Sequence, residues 1–198
     1  MNYLYQYEFE DAKTAVTTFF DVYVTEQNFQ EILRIVEAPY SLIFVPGYTD
    51  RTTLFRARPT TLYLFMFLER PNGMVTPVYY WAHGIESLLI DRRGVWHNED
   101  RVARDIVMSY VQEEMTSRVN SGIPLYYGVG VGDPPDYISI LGIEPDRIIP
   151  FEFSGEQYFL WYFTSPVPFG EILSENIDIT THFALAEVIE LLNIRVAR

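Results

Sequence analysis

The chain has 198 residues, 48% hydrophobic and 21% charged, a size and composition that suit a buried core and argue against disorder. It contains no cysteine, which excludes a disulfide framework, zinc ribbons, iron–sulfur clusters and thiol nucleophiles. A formal net charge of −13 disfavours nucleic acid and anionic membranes as partners and would steer in a basic protein.

Residues 1–13 have neither a basic segment nor an apolar one, so no signal peptide is expected. The most apolar run, residues 61–71, is shorter than the roughly 20 residues a spanning helix needs. These features predict a soluble protein in the cytoplasm of the producing or host cell. Lys13 is the only lysine, beside thirteen arginines. Selection against lysine, as an escape from ubiquitination, or a bias in base composition would leave such a pattern.

From the N-terminus, Tyr3, Tyr5, Tyr7 and Phe9 alternate with polar residues, which predicts a half-buried strand over 3–10. Ala12, Val16, Phe19, Phe20 and Tyr23 then recur at helical spacing. A second helix is predicted over 25–38, with Thr25 as N-cap, Phe29, Ile32, Leu33 and Val36 as its apolar stripe, and Pro39 closing it. From residue 40 short aromatic and β-branched runs follow one another: 40–47, 53–59, 60–69, 75–83 and 85–91. The Asn72-Gly73 pair and the 91–94 segment mark tight turns between them. An antiparallel meander over 41–97 is expected, centred on the pair Leu62–Leu68 and Val75–Ala82.

A long helix starts at Asn98, with Glu99 and Asp100 complementing its dipole and Gly122 stopping it. Val102, Ile106, Tyr110 and Val119 form its apolar face, widened by Val107, Val111 and Met115. Arg101, Arg104, Asp105, Glu113, Glu114 and Arg118 are assigned to the solvated face. Strands are predicted at 147–153 and 156–163, and a last helix at 181–193 built on Phe183, Ala186, Ile189 and Leu192. This order implies a single α+β domain over 1–198, the meander packing against N-terminal, central and C-terminal helices.

Gly128, Gly130 and Gly132 come nearest to a known motif, but they run G-x-G-x-G where a dinucleotide fingerprint needs G-x-G-x-x-G. Asp133 and Asp136 would also face the phosphates. No Gly-Lys-Ser/Thr follows, so a P-loop is excluded. The local chemistry instead predicts a short helix with Asp133 as N-cap, Pro134 at its first position and Gly142 as its end. His83, His97 and His182 contain no i, i+4 pair, and the carboxylates near His97 suit a helix cap better than a metal. No G-x-S-x-G elbow surrounds any serine. Neither a metal, a cofactor nor a catalytic group is assigned.

Residues 7–16, YEFEDAKTAV, resemble the opening strand and helix of the ribosome-inactivating N-glycosidases of Shiga toxin and plants. The resemblance implies adenine stacked between Tyr126 and Tyr127, with Glu144, Arg147 and Trp161 serving depurination. The chain departs from that family in having Pro145 after the glutamate, in lacking the tryptophan-centred motif, and in its acidity.

The aromatic runs 78–83 and 157–163 supply core rings and, if their outward members lie in a groove, interface anchors such as Tyr79 and Trp81 or Tyr158 and Tyr162. The function expected is that of a non-catalytic acidic binding protein, of immunity, antitoxin or viral counter-defence type, that occludes a basic protein. The residues assigned to binding are Tyr126, Tyr127, Asp133, Asp136, Glu152 and Glu156. The alternatives are an enzyme whose site assembles only in three dimensions, as a hydrolase or an adenine N-glycosidase, and a structural subunit that self-associates through aromatic strands.

Overall fold

The structure, a computed structural model, describes residues 6–21, 23–48, 60–85, 98–117, 125–164, 168–177 and 184–197. It has an α+β fold and divides into two compact units, Met1–Ile90 and Asp91–Arg198.

In the first unit, Asp11 caps helix α1 (Ala12–Phe19), its carboxylate accepting the Thr14 N–H at 2.7 Å. Four strands follow: β1 (Leu33–Glu37), β2 (Tyr40–Tyr48), β3 (Thr60–Glu69) and β4 (Val75–Gly84). They pair antiparallel in the order β1-β2-β3-β4, in which β2, β3 and β4 belong to the expected meander and β1 does not. The β3–β4 turn is built where Asn72 and Gly73 stand. Gly73 takes φ +81°, its N–H reaches the Arg70 carbonyl, and the Asn72 side chain accepts the Met74 N–H. Tyr63, Phe65 and Phe67 alternate along β3 and, with Ile43 and Val45 of β2, bury Ala12, Ala15 and Val16 of α1. Phe20, just past the helix, sets its ring edge-on to Phe65 at 4.9 Å and to Tyr80 at 4.6 Å.

Two expectations fail in this unit. No helix forms over 25–38. The Thr25 N–H is taken by the Asn28 side chain at 2.6 Å, and residues 33–37 form β1, paired from Leu33↔Phe44 to Glu37↔Tyr40. Ile35 and Val36 are β-branched, and pairing along β2 satisfies backbone groups that a short, weakly capped helix would leave open. Of the predicted opening strand, the described residues retain one bridge, Phe9 to Val75, and Tyr7 is exposed. The predicted strand at 53–59 and the turn at 91–94 lie outside the described residues, as does most of the strand at 85–91.

In the second unit, helix α2 (Asn98–Ser117) precedes β5 (Tyr126–Val131), β6 (Tyr137–Ser139), β7 (Arg147–Phe153) and β8 (Glu156–Phe163). Helices α3 (Phe169–Asn176) and α4 (Leu185–Leu191) and strand β9 (Arg195–Ala197) complete it. β7 and β8 fall where strands are predicted. Ser154 at φ +55° and Gly155 at φ +78° join them in the left-handed pair of a tight hairpin turn. The sheet runs β5-β8-β7, and a separate small ladder joins β6 to β9. Val102, Ala103 and Ile106 of α2 pack with Trp161, Phe163, Phe169, Leu173, Val188 and Leu192 in one core.

The short helix expected after Asp133 is absent. Pro135 keeps Pro134 out of the helical region, and Tyr137–Ser139 pair with Ala197–Arg195 as β6 instead. The last helix is shorter than predicted, and residues 181–183 of its predicted span lie outside the described ones, as does Gly122. Among the described residues no helix is long and apolar enough to cross a membrane.

The hydrogen bonds from Thr14 to Asp11 hold this carboxyl below its ordinary pKa. A depressed carboxylate stabilises the fold above the unfolded-state pKa and loses that effect as pH falls through the folded-state value. Asp11→Ala is therefore expected to cost about 1 kcal/mol in urea unfolding at pH 7. The gap from wild type should narrow below about pH 4. A gap independent of pH would refute the charged cap.

Candidate functional site

β5 is an edge strand, and its glycines shape what lies against it. Gly128 stands opposite Trp161 of β8, and Gly130 opposite Phe159. A Cβ at Gly130 would overlap the Phe159 ring, and one at Gly128 would overlap both the Trp161 ring and Oδ2 of Asp105. The glycines are the floor across which two aromatic rings lie, not a phosphate cradle.

Helix α2 comes down on this floor with polar residues. Ser109 Oγ donates to the Tyr127 carbonyl at 2.7 Å and accepts the Tyr127 N–H at 3.1 Å. One side chain thus satisfies both backbone groups that this edge residue turns away from β8. One turn earlier, Asp105 is only 3% exposed. Its assignment to the solvated face is corrected: it follows Val102 by three residues and precedes Ser109 by four, so it lies on the buried stripe. Charge concealed it in the sequence; its position relative to Val102 and Ile106 was the available signal.

Asp105 lines a small cleft whose walls come from α2, β5, β6, β8 and β9. Phe159 and Trp161 form the aromatic side, Asn98 and Arg101 the helical side, and Ile138 and Val196 an apolar cover. Asp133, exposed, stands at the rim.

The residues assigned to binding separate into two groups. Tyr126 and Tyr127 are 2% and 1% exposed. Tyr126 packs edge-on to Phe169 at 5.2 Å, and its hydroxyl accepts the Gly170 N–H at 2.9 Å. Both tyrosines sit at the start of β5. Asp133, Asp136, Glu152 and Glu156 are exposed. The pairs Val131↔Tyr158 and Glu152↔Gln157, with the Gly132 N–H on the Gln157 carbonyl at 2.8 Å, bring Asp133, Glu152 and Glu156 to one end of the sheet. The tyrosines are at the other.

Tyr158 and Tyr162 are buried, whereas Tyr79 and Trp81 in the first unit are half-buried. Burial, followed by the neighbouring Tyr80, raises the pKa of the Tyr79 hydroxyl. Glu144 and Arg147 are exposed, and the segment joining them is no helix. His83 is buried, and His97 and His182 lie outside the described residues. Among the described residues no three His, Asp or Glu side chains gather as metal ligands. Comparison with known protein families, curated proteins and solved structures finds no match for this chain.

Close packing at the glycine floor predicts Gly130→Ala to destabilise by about 1–3 kcal/mol, because the new methyl displaces the Phe159 ring. Pairing it with Phe159→Ala should recover part of that cost in a double-mutant cycle followed by thermal unfolding. Purely additive effects would show that the ring does not need the glycine.

Proposed function

We propose that the protein acts by binding, as a non-catalytic acidic partner that occludes a basic protein in the manner of immunity, antitoxin or counter-defence proteins. One observation carries the reading: Asp133, Glu152 and Glu156 stand exposed at one end of the second unit's sheet, and Asp133 is also the rim of the aromatic-walled cleft. In a chain of net charge −13 such an end adds local direction to a field that already attracts cations. Exposed carboxylates steer encounter, and the cleft beside them offers an anchor. Such a protein would work in the cytoplasm of the producing or host cell.

Asp105 also supports a second reading, an enzyme that uses a buried carboxylate in a cleft for acid–base work. That reading requires turnover of a small substrate that Asp105→Asn abolishes.

For the binding reading, tagged protein is expected to retain a basic protein from its native host at low salt and to release it at high salt. With that partner purified, the triple variant Asp133→Asn, Glu152→Gln, Glu156→Gln should bind at least tenfold more weakly and on-rates should fall most. Retention of nothing but its own copies would overturn the reading and favour self-association.

A further inference from the structure

We propose that β1 is a strand-addition site, whose open edge takes up an extended segment of the basic partner in which β-branched and basic side chains alternate. The proposal rests on the basic-partner reading for the charge of its occupant.

Backbone geometry defines the edge. The Phe44 carbonyl accepts the Ile32 N–H at 2.9 Å, and the Pro39 carbonyl accepts the Glu69 N–H at 2.7 Å. Peptide groups alternate in direction along a strand, so Phe44, Leu42 and Tyr40 turn theirs toward β1, where Leu33, Ile35 and Glu37 answer them. Arg34 and Val36 therefore aim their N–H and carbonyl groups away from the sheet. Among the described residues nothing pairs with those groups.

The other strand edges among the described residues are each blunted. Ser109 takes both outward groups of Tyr127 on β5. The Gly132 bond to Gln157 sets Phe159 toward β5, so its partner Pro150 stands on the outward side of β7, where it has no N–H to offer. On β4, Phe9 exchanges both backbone hydrogen bonds with Val75, and a bulge opposite Met66 and Phe67 interrupts the ladder. β6 and β9 are only three residues long. β1 has five residues, no proline and no such cover, and its Val36 is 63% exposed.

Charge selects the occupant. Arg34, the one cation on β1, is already engaged, since its guanidinium bonds the Glu31 carboxylate at 3.0 and 2.8 Å. That bonding, with the charges of Glu31, Glu69 and Asp11, raises the Arg34 pKa, so carboxylates dominate around the strand. Glu37 adds another, exposed beside Val36. A second copy would bring these carboxylates against their own twins, and five paired residues a side fall short of the roughly 1,000 Å² of a lasting interface. A basic segment meets no such repulsion. Its main chain bonds Arg34 and Val36, a β-branched side chain packs across from Val36, and a lysine or arginine lies across from Glu37.

The test titrates the full chain with acetylated, amidated Thr-Lys-Val-Lys-Val-Lys-Thr and with a twin carrying Glu for each Lys, reading amide hydrogen exchange residue by residue. In the free protein the Arg34 and Val36 amides are expected to exchange at least tenfold faster than that of Ile35. The lysine peptide should slow both, and the glutamate twin should bind at least tenfold more weakly. Val36→Pro removes one outward N–H and no bond to β2, so it should abolish binding with little change in thermal unfolding. Val36→Thr keeps the donor and should bind. Equal binding of the two peptides, or exchange that does not slow at Arg34 and Val36, would overturn the proposal from wild type alone. Protection of those amides by raised protein concentration without peptide would overturn it in favour of a second copy.

Two further outcomes separate the site from the reading beneath it. If folded Val36→Pro holds the purified basic partner as tightly as wild type while the triple variant at the sheet end does not, strand addition falls and the binding reading stands. If the lysine peptide protects Arg34 and Val36 but no basic protein is retained from the host, the binding reading falls and the site stands.

Discussion

The second unit depends on the missing side chains of Gly128 and Gly130. β5 and β8 pair so that Trp161 and Phe159 stand opposite these positions, and the rings lie across the strand because no Cβ rises there. The helix above then meets a floor made of indole, phenyl and bare backbone. Asp105 reaches that floor at Gly128, and Trp161 reaches the core that Val102, Ala103 and Ile106 enter from α2. Alanine at either glycine would force a ring, a carboxylate or the helix itself to move, since interiors at crystal-like density have no spare volume.

The same approach settles an exposed strand edge. β5 has β8 on one side, and an unsatisfied edge on the other would invite pairing with another chain. Ser109 answers for Tyr127 at both its N–H and its carbonyl, so α2 closes part of the edge through a side chain where a sheet would use another strand. Buried polar groups on a helix usually carry a cost, which a fully used hydroxyl offsets. Asp105, on the same stripe, brings a carboxylate to a place otherwise lined by rings and aliphatic groups.

How much of this could be read from the chain follows from which signals were local. The β3–β4 hairpin was legible because apolar strand runs and turn chemistry agree at Asn72-Gly73, whereas β7 and β8 were legible only as strands, and their turn at Ser154-Gly155 was not. Residues 25–38 were misread because Phe29, Ile32, Leu33 and Val36 have helical spacing, yet Val36 ends 63% exposed on a strand whose partner lies beyond Pro39. Tertiary pairing overrode a periodic pattern there. For the site, the exposed carboxylates at 133, 136, 152 and 156 were legible as surface charge. Tyr126 and Tyr127 were assigned to binding on residue type, and their burial depends on Phe169, Gly170 and Ser109, which no local pattern connects to them. Asp105 was hidden by its charge, although its spacing from Val102 and Ser109 places it on the buried stripe; only its approach to Gly128 needed the fold.

The division between floor and rim bears on how such a surface would bind. Each exposed carboxylate at the sheet end acts in water, where a single ion pair contributes about 0–1 kcal/mol and salt weakens it further. Their collective effect falls on encounter, since a long-range field raises the rate at which a cation arrives without holding it. Asp105 is buried beside the Phe159 and Trp161 rings, so its desolvation has to be offset by its partners within the fold. Net charge would draw a basic protein near, and the exposed carboxylates at the sheet end would give that approach a direction.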